Sequence, residues 1–217
     1  MPFTAKSGKF NASINVVEFG TGDKAVKIGG ENVFPLYSFD AAIENAPKVG
    51  IEITDFGMEH EPECIKKYYE GCATLADMAR KAASMEGVDF LSFRMEGGDP
   101  NGANKSTEEL IGELKEIADA VDLPLVVCGC KNVEKDAELF SKAAEALNGK
   151  NAVILSAKEE NYKTVGAAAG LAYKQIVGAE SAVDINLAKQ LNVLISQLGV
   201  DSKSVVMNVG TAAVGYG

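Results

Sequence analysis

Short apolar runs and helix-spaced apolar stripes alternate along most of this chain. The runs are Ile51–Thr54, Phe90–Phe93, Leu125–Cys128, Val153–Leu155, Ala182–Ile185 and Val205–Met207. Between them lie stretches with apolar residues at i, i+3, i+4 and i+7, the spacing of one buried helix face. The first, over 72–85, carries Leu75, Met78, Ala79, Ala82 and Met85. The second carries Leu110, Leu114, Ile117 and Val121, and the third Phe140, Ala144 and Leu147. The fourth, near 161–176, is rich in alanine and glycine and is expected to pack closely on its sheet. The fifth carries Leu187, Leu191, Leu194, Ile195 and Leu198. Ser106-Thr-Glu-Glu109 has the spacing of a capping box, and Asn132 and Asn186 are candidate N-caps. Strand–helix alternation predicts a parallel sheet covered by helices, an α/β fold of the TIM (β/α)8-barrel type. Eight units close such a barrel. Six apolar runs are present here, and Gly215-Tyr216-Gly217 comes shortly after the last. The pattern therefore reads as an incomplete barrel whose C-terminal units are missing.

Residues 1–37 are patterned differently and read as an N-terminal hairpin extension, with 38–217 as the incomplete barrel. Ile14–Phe19 and Ala25–Ile28 flank the turn residues Gly20-Thr21-Gly22-Asp23. A hairpin placed ahead of a barrel is expected to cover its bottom. The stretch 56–70 is expected to be a long loop of mixed charge.

Composition narrows the function classes. The chain has 217 residues with net charge −10, from 31 acidic and 21 basic residues. Nucleic-acid binders rest on basic groups that neutralise phosphates, and anionic membranes recruit basic segments, so neither partner is expected. No apolar stretch is long enough to span a bilayer. The start lacks the basic and apolar regions of a signal peptide. Four cysteines in that setting read as reduced cytoplasmic thiols.

In a barrel of this class, chemistry sits at the C-terminal ends of the strands. Asp55 follows the first run, and Arg94-Met-Glu-Gly-Gly-Asp-Pro-Asn-Gly102 the second. Gly129-Cys130-Lys131-Asn132 follows the third, and Ser156, Glu159, Glu160 and Asn161 follow the fourth. The fifth run carries Asp184 and Asn186, and Asn208 follows the sixth. Read this way, the ring holds carboxylates and amides with few cations and suits a neutral hydrogen-bonding ligand. Cys128 and Cys130 are expected on the same side of a strand, without the spacing of a metal or cluster site. His60, the one histidine, lies between Glu59 and Glu61 and reads as a solvated side chain.

Four stretches carry a family resemblance. Cys128-Gly-Cys-Lys-Asn-Val-Glu-Lys-Asp136, Glu160-Asn-Tyr-Lys163, Asp184-Ile-Asn-Leu-Ala-Lys-Gln-Leu-Asn192 and Gly215-Tyr-Gly217 resemble the small subunit of the corrinoid iron–sulfur protein, as does the Gly98-Asp-Pro-Asn-Gly102 turn. That family includes the delta subunit of the acetyl-CoA decarbonylase/synthase complex. The resemblance implies a (β/α)8 barrel paired with a large subunit that carries the iron–sulfur cluster, so no cluster is expected on this chain. It implies a corrinoid (cobamide) shared between the two subunits. The methyl group on its cobalt comes from methyltetrahydrofolate through a separate methyltransferase. It is passed to the nickel centre of acetyl-CoA synthase/CO dehydrogenase in the reductive acetyl-CoA pathway. The chain has no Asp-x-His-x-x-Gly run, so no axial cobalt ligand of that kind is expected from it. No catalytic residue and no metal ligand is assigned. Strand-end position within the matched motifs makes Asp99, Asn101, Cys130, Asn132, Ser156, Asn161, Asp184, Asn186 and Asn208 candidate corrinoid-facing residues.

Two other readings compete. In one, the chain is a pterin-dependent corrinoid methyltransferase in which Asp55, Asp99, Asp184 and Asn208 bracket the pterin. In the other it is a barrel lyase, for which no base–electrophile pair stands out.

Overall fold

The computed structural model describes residues 11–33 and 43–210. An antiparallel hairpin comes first, β1 (Val17–Phe19) and β2 (Val26–Ile28), with Val17 opposite Ile28 and Phe19 opposite Val26. Six parallel strands follow: β3 (Gly50–Thr54), β4 (Phe90–Arg94), β5 (Leu125–Cys128), β6 (Val153–Ala157), β7 (Ile176–Glu180) and β8 (Val205–Asn208). Between β3 and β4 lie α1 (Glu63–Tyr68) and α2 (Leu75–Ala83). Then come α3 (Thr107–Ala120), α4 (Val133–Ala146), α5 (Tyr162–Val165) and α6 (Ile185–Gln197). α5 runs on as a π-helical stretch, Gly166–Ala172. The class is α/β with a parallel sheet.

Strand order in the sheet is strand order in the chain, β3-β4-β5-β6-β7-β8. With no reversal, crossovers of one hand place every connecting helix on the same face. The burial pattern follows. Ile53, Leu91, Phe93, Val127, Ile154 and Val177 point to the helix side and pack with Leu110, Leu114, Ile117, Phe140, Leu191 and Ile195. Their strand neighbours Val126, Cys128, Val153 and Ile176 point to the opposite face and pack with Val17, Phe19 and Val26 of the hairpin. The hairpin is tied to the N-terminal ends of the strands. The Gly20 N–H donates to the Asn151 carbonyl at 2.8 Å, and Asn151 Nδ2 donates to the carbonyls of Glu18 (3.0 Å) and Gly20 (3.2 Å). Phe19 meets Phe90 edge-on with centroids 5.7 Å apart. Among the described residues, nothing of the hairpin reaches the C-terminal ends of the strands on that face.

Helix starts obey local capping chemistry. Thr74 and Asp77 form a reciprocal capping box at α2, and Ser106 Oγ accepts the Glu109 N–H at α3. Asn132 Oδ1 accepts the Lys135 N–H at 3.0 Å.

Five of the six apolar runs are strands, but Ala182–Ile185 is not. β7 lies at Ile176–Glu180, between the expected end of the fourth helix near 176 and the expected strand at 182. Ala182 and Val183 have φ of +44° and +71°, outside any strand, and Val183 is 64% exposed. Asp184 and Asn186 are therefore on a loop and a first helical turn rather than a strand. Asp184 is the N-cap of α6, its Oδ1 accepting the N–H groups of Asn186 (2.8 Å) and Leu187 (3.1 Å), so Asn186 is not the cap. The 56–70 stretch contains α1 and is not all loop. Cys128 and Cys130 do not share a side. The strand ends at Cys128, the chain turns at Gly129, and Cys130 enters the helix-side core. The Gly215-Tyr-Gly217 stretch and the 37/38 boundary lie outside the described residues.

Candidate functional site at the strand ends

On the open face, Thr54, Arg94, Cys128, Leu155, Gly178 and Val206 stand side by side in register, with Glu180 opposite Asn208 one level higher. Of these, Arg94, Cys128, Leu155, Glu180 and Asn208 line a cavity of about 270 Å³, together with Gly129, Lys131, Asp136, Ser156 and Lys158. A second cavity of about 450 Å³ shares Arg94, Cys128, Leu155 and Asn208 and runs down to Phe19 and Phe90.

The cavity walls are more charged than the sequence reading allows. Arg94 makes a two-pronged ion pair with Glu52, Nε to Oε1 at 2.9 Å and Nη2 to Oε2 at 2.8 Å. Those hydrogen bonds raise the guanidinium pKa above its usual value. Lys158 Nζ lies 3.6 Å from Glu180 Oε1. Lys131 makes no ion pair among the described residues. Cys128 Sγ lies 3.5 Å from Ser92 Oγ, and burial pushes its thiol pKa up. The expectation of few cations is thus overturned. Arg94 and Lys131, already at strand ends in the sequence, are joined by Lys158, so three cations line the site.

Two buried carboxylates shape the loops around the mouth. Asp136, one turn into α4, accepts the N–H groups of Cys130 (2.7 Å) and Lys131 (3.1 Å). Burial raises its carboxyl above the usual range. A Cβ at residue 129 would run into that carboxylate, so glycine is required there. Asp55 has no exposed side-chain surface. It accepts the Gly97 N–H at 2.9 and 3.1 Å and pairs with Lys105 Nζ at 3.1 Å. Lys105 also reaches the Asp55 carbonyl (2.9 Å) and Glu113 Oε1 (3.0 Å). This network anchors the Gly97–Gly102 loop. It also removes Asp55 from the set that could bracket a pterin.

Of the nine candidate corrinoid-facing residues, Ser156 and Asn208 line the cavity. The rest lie elsewhere. Cys130 is buried in the helix-side core, where burial raises its thiol pKa to about 11. Asn132 and Asp184 are occupied as N-caps, and Asn186 is exposed on α6. Asp99 and Asn101 bond to each other, the Asn101 N–H donating to Asp99 Oδ1 at 2.9 Å. Asn161 is 4% exposed; its Oδ1 accepts the Lys158 N–H at 2.7 Å and its Nδ2 has no partner among the described residues. His60 packs edge-on to Phe56, centroids 4.9 Å apart, and is exposed. Among the described residues, no three His, Cys, Asp or Glu side chains converge as a metal site, and no helix is long and apolar enough to cross a membrane.

The profile of the CO dehydrogenase/acetyl-CoA synthase delta subunit family matches residues 16–217. The chain belongs to that family. Its relatives include proteins named acetyl-CoA decarbonylase/synthase complex subunit delta. That of Methanothermobacter thermautotrophicus is 32% identical over 204 residues, covering 93% of this chain and 52% of the relative. Those of Methanocaldococcus jannaschii and Archaeoglobus fulgidus are each 31% identical, covering 96% and 91% of this chain and 53% and 44% of the relatives. The chain spans about half the length of the delta subunits it matches.

Proposed function

We propose that this chain is the N-terminal hairpin (1–37) and most of the barrel (38–217) of a corrinoid iron–sulfur protein small subunit, acting in the cytoplasm. Its strand-end face covers a corrinoid held by the large subunit, which also carries the iron–sulfur cluster. The methyl group travels from methyltetrahydrofolate, through its methyltransferase, to the nickel centre of acetyl-CoA synthase/CO dehydrogenase. The observation that carries this reading is the family match across residues 16–217. Sequential strand order with helices on one face supports six units of a (β/α)8 barrel, since doubly wound sheets reverse their order.

The residues at the face fit such a group. A cavity of about 270 Å³ lies below the roughly 300–1,000 Å³ of clefts that engulf whole ligands, so a macrocycle would lie across the mouth. The Ser156 hydroxyl and the Asn208 amide offer hydrogen bonds to a rim of carboxamides. When bound, cobalt supplies the nucleophile and carrier for the methyl group; this chain's residues orient the rim and exclude solvent. The pterin-dependent methyltransferase reading is weaker, because the Asp55 side chain is sealed behind the loop it anchors.

Co-expression with a large subunit, with the affinity tag on this chain, tests the proposal. The expected result is a stable complex with cobalt absorbance and no methyl transfer by the chain alone. Transfer from methyltetrahydrofolate to added cobalamin by the isolated chain would overturn it.

A further inference from the structure

We propose that the strand-end cavity is a subsite for a singly charged oxyanion, a carboxylate or a phosphodiester, held by the Lys131 ammonium with the Ser156 hydroxyl and the Asn208 amide. All three residues line the same cavity of about 270 Å³. Small-molecule sites characteristically combine a concavity with a few convergent polar groups.

The charges divide unevenly around this cavity. Arg94 is satisfied by both oxygens of Glu52, and Lys158 faces Glu180. Asp136 spends both oxygens on the N–H groups of Cys130 and Lys131 and is 5% exposed. Lys131 is the one cation of the lining with no ion-pair partner among the described residues. Ser156 is 7% exposed and lines the cavity. An anion entering here meets the exposed Lys131, which has no ion pair among the described residues, beside a hydroxyl and an amide, without breaking the Arg94–Glu52 or Lys158–Glu180 pair.

The backbone supplies an independent argument. Lys131 has φ of +73°, a conformation that favours glycine. Asp136 holds it there through the two N–H bonds, and Gly129 leaves the room Asp136 needs. Strained non-glycine residues concentrate at binding sites, where the surroundings over-determine them. Here the strained residue is the one with the unpaired charge. The subsite shares Ser156 and Asn208 with the proposed corrinoid-facing set, and its test needs no corrinoid.

The test is a ¹H–¹⁵N correlation titration of the chain with sodium acetate, sodium dimethyl phosphate and neutral acetamide at constant ionic strength. Wild type is compared with Lys131→Gly and Lys131→Arg. Glycine suits the positive φ, so Lys131→Gly keeps the fold while removing the charge. Saturable shifts at Lys131, Ser156 and Asn208 are expected with one or both anions, at dissociation constants on the order of millimolar. Lys131→Arg should retain affinity within about threefold, and Lys131→Gly should lose about tenfold or more. A stronger response to acetate assigns a carboxylate ligand; a stronger response to dimethyl phosphate assigns a phosphodiester. Equal response to acetamide, unchanged affinity in Lys131→Gly, or no saturable shift at these residues would overturn the proposal.

Discussion

Replacing Lys105 with methionine removes the one cation shared by two buried or half-buried carboxylates. Lys105 Nζ sits 3.1 Å from Asp55 Oδ2 and 3.0 Å from Glu113 Oε1. The Asp55 side chain is 0% exposed and that of Glu113 22%. Glu113 Oε2 already lacks a partner among the described residues. Lys105 Nζ also lies 5.7 Å from the Phe56 ring centroid, so methionine removes that cation–π contact together with the charge. Stranding a buried charge by removing its partner costs about 3–5 kcal/mol. For a chain of this size each kcal/mol moves Tm by about 2–4 °C, so Tm at pH 8 should fall by about 6–20 °C. The sign of the pH effect follows from Glu113. Burial already holds its carboxyl above the usual 4.5, and losing Lys105 removes the ion pair that pulls it down. A carboxyl whose folded pKa exceeds its unfolded value adds stability below the unfolded pKa, and that stability is lost as pH rises through the folded pKa. The deficit of the variant against wild type should therefore shrink as pH falls toward 4.5, and Lys105→Met/Glu113→Gln should recover part of it at pH 8. Thermal melts followed by circular dichroism read all three. A Tm within about 2 °C of wild type at pH 8, or a deficit that does not shrink in acid, would refute the reasoning.

Phe19→Ala should cost about 3–5 kcal/mol in urea unfolding, because Phe19 is 3% exposed and packs on Phe90; a loss under about 1 kcal/mol would mean the hairpin is not part of the sheet's core. Maleimide labelling at pH 8 followed by mass spectrometry should modify exposed Cys64 well before Cys128 and Cys130. With its pKa near 11, Cys130 is about 0.1% thiolate at pH 8, and rapid Cys130 labelling in the folded chain would contradict its placement. Gly129→Ala should destabilise by roughly 2–3 kcal/mol by displacing the Asp136 carboxylate from the Cys130 and Lys131 N–H groups; an unchanged melting curve would show that the Lys131 turn does not depend on it.

Local patterns carried most of the fold. Leu125–Cys128 is uniformly apolar because both faces of β5 are buried, and the Phe140, Ala144 and Leu147 stripe sits wholly in the helix-side core. β7 was illegible for a physical reason. A Cβ at Gly178 would run into Leu155, so Gly178-Ala179 follows Ile176-Val177 and leaves only a two-residue apolar run after the alanine- and glycine-rich helix. Exposed Val183 and Ile185 supplied the false strand. The site was less legible than the fold. Asn and Asp at helix starts are as easily caps as ligands, and Asn132 and Asp184 are caps. Arg94, Glu52, Lys158 and Glu180 come from three different strands and a loop, and only register between neighbouring strands brings them together. Two signals were available in the sequence. Glu52 and Arg94 alternate with buried residues and so had to face the other side of the sheet, and Gly129 ahead of a positive-φ lysine marked a tight turn.

The central claim is that the open strand-end face is the one that covers the corrinoid in the complex. Hydrogen–deuterium exchange of the chain, free and bound to a corrinoid-loaded large subunit, tests it most directly. The account predicts added protection in the strand-end segments 95–105, 129–132, 156–161 and 181–184. Protection confined to the outer faces of α3 and α4, with those segments unchanged, would contradict it.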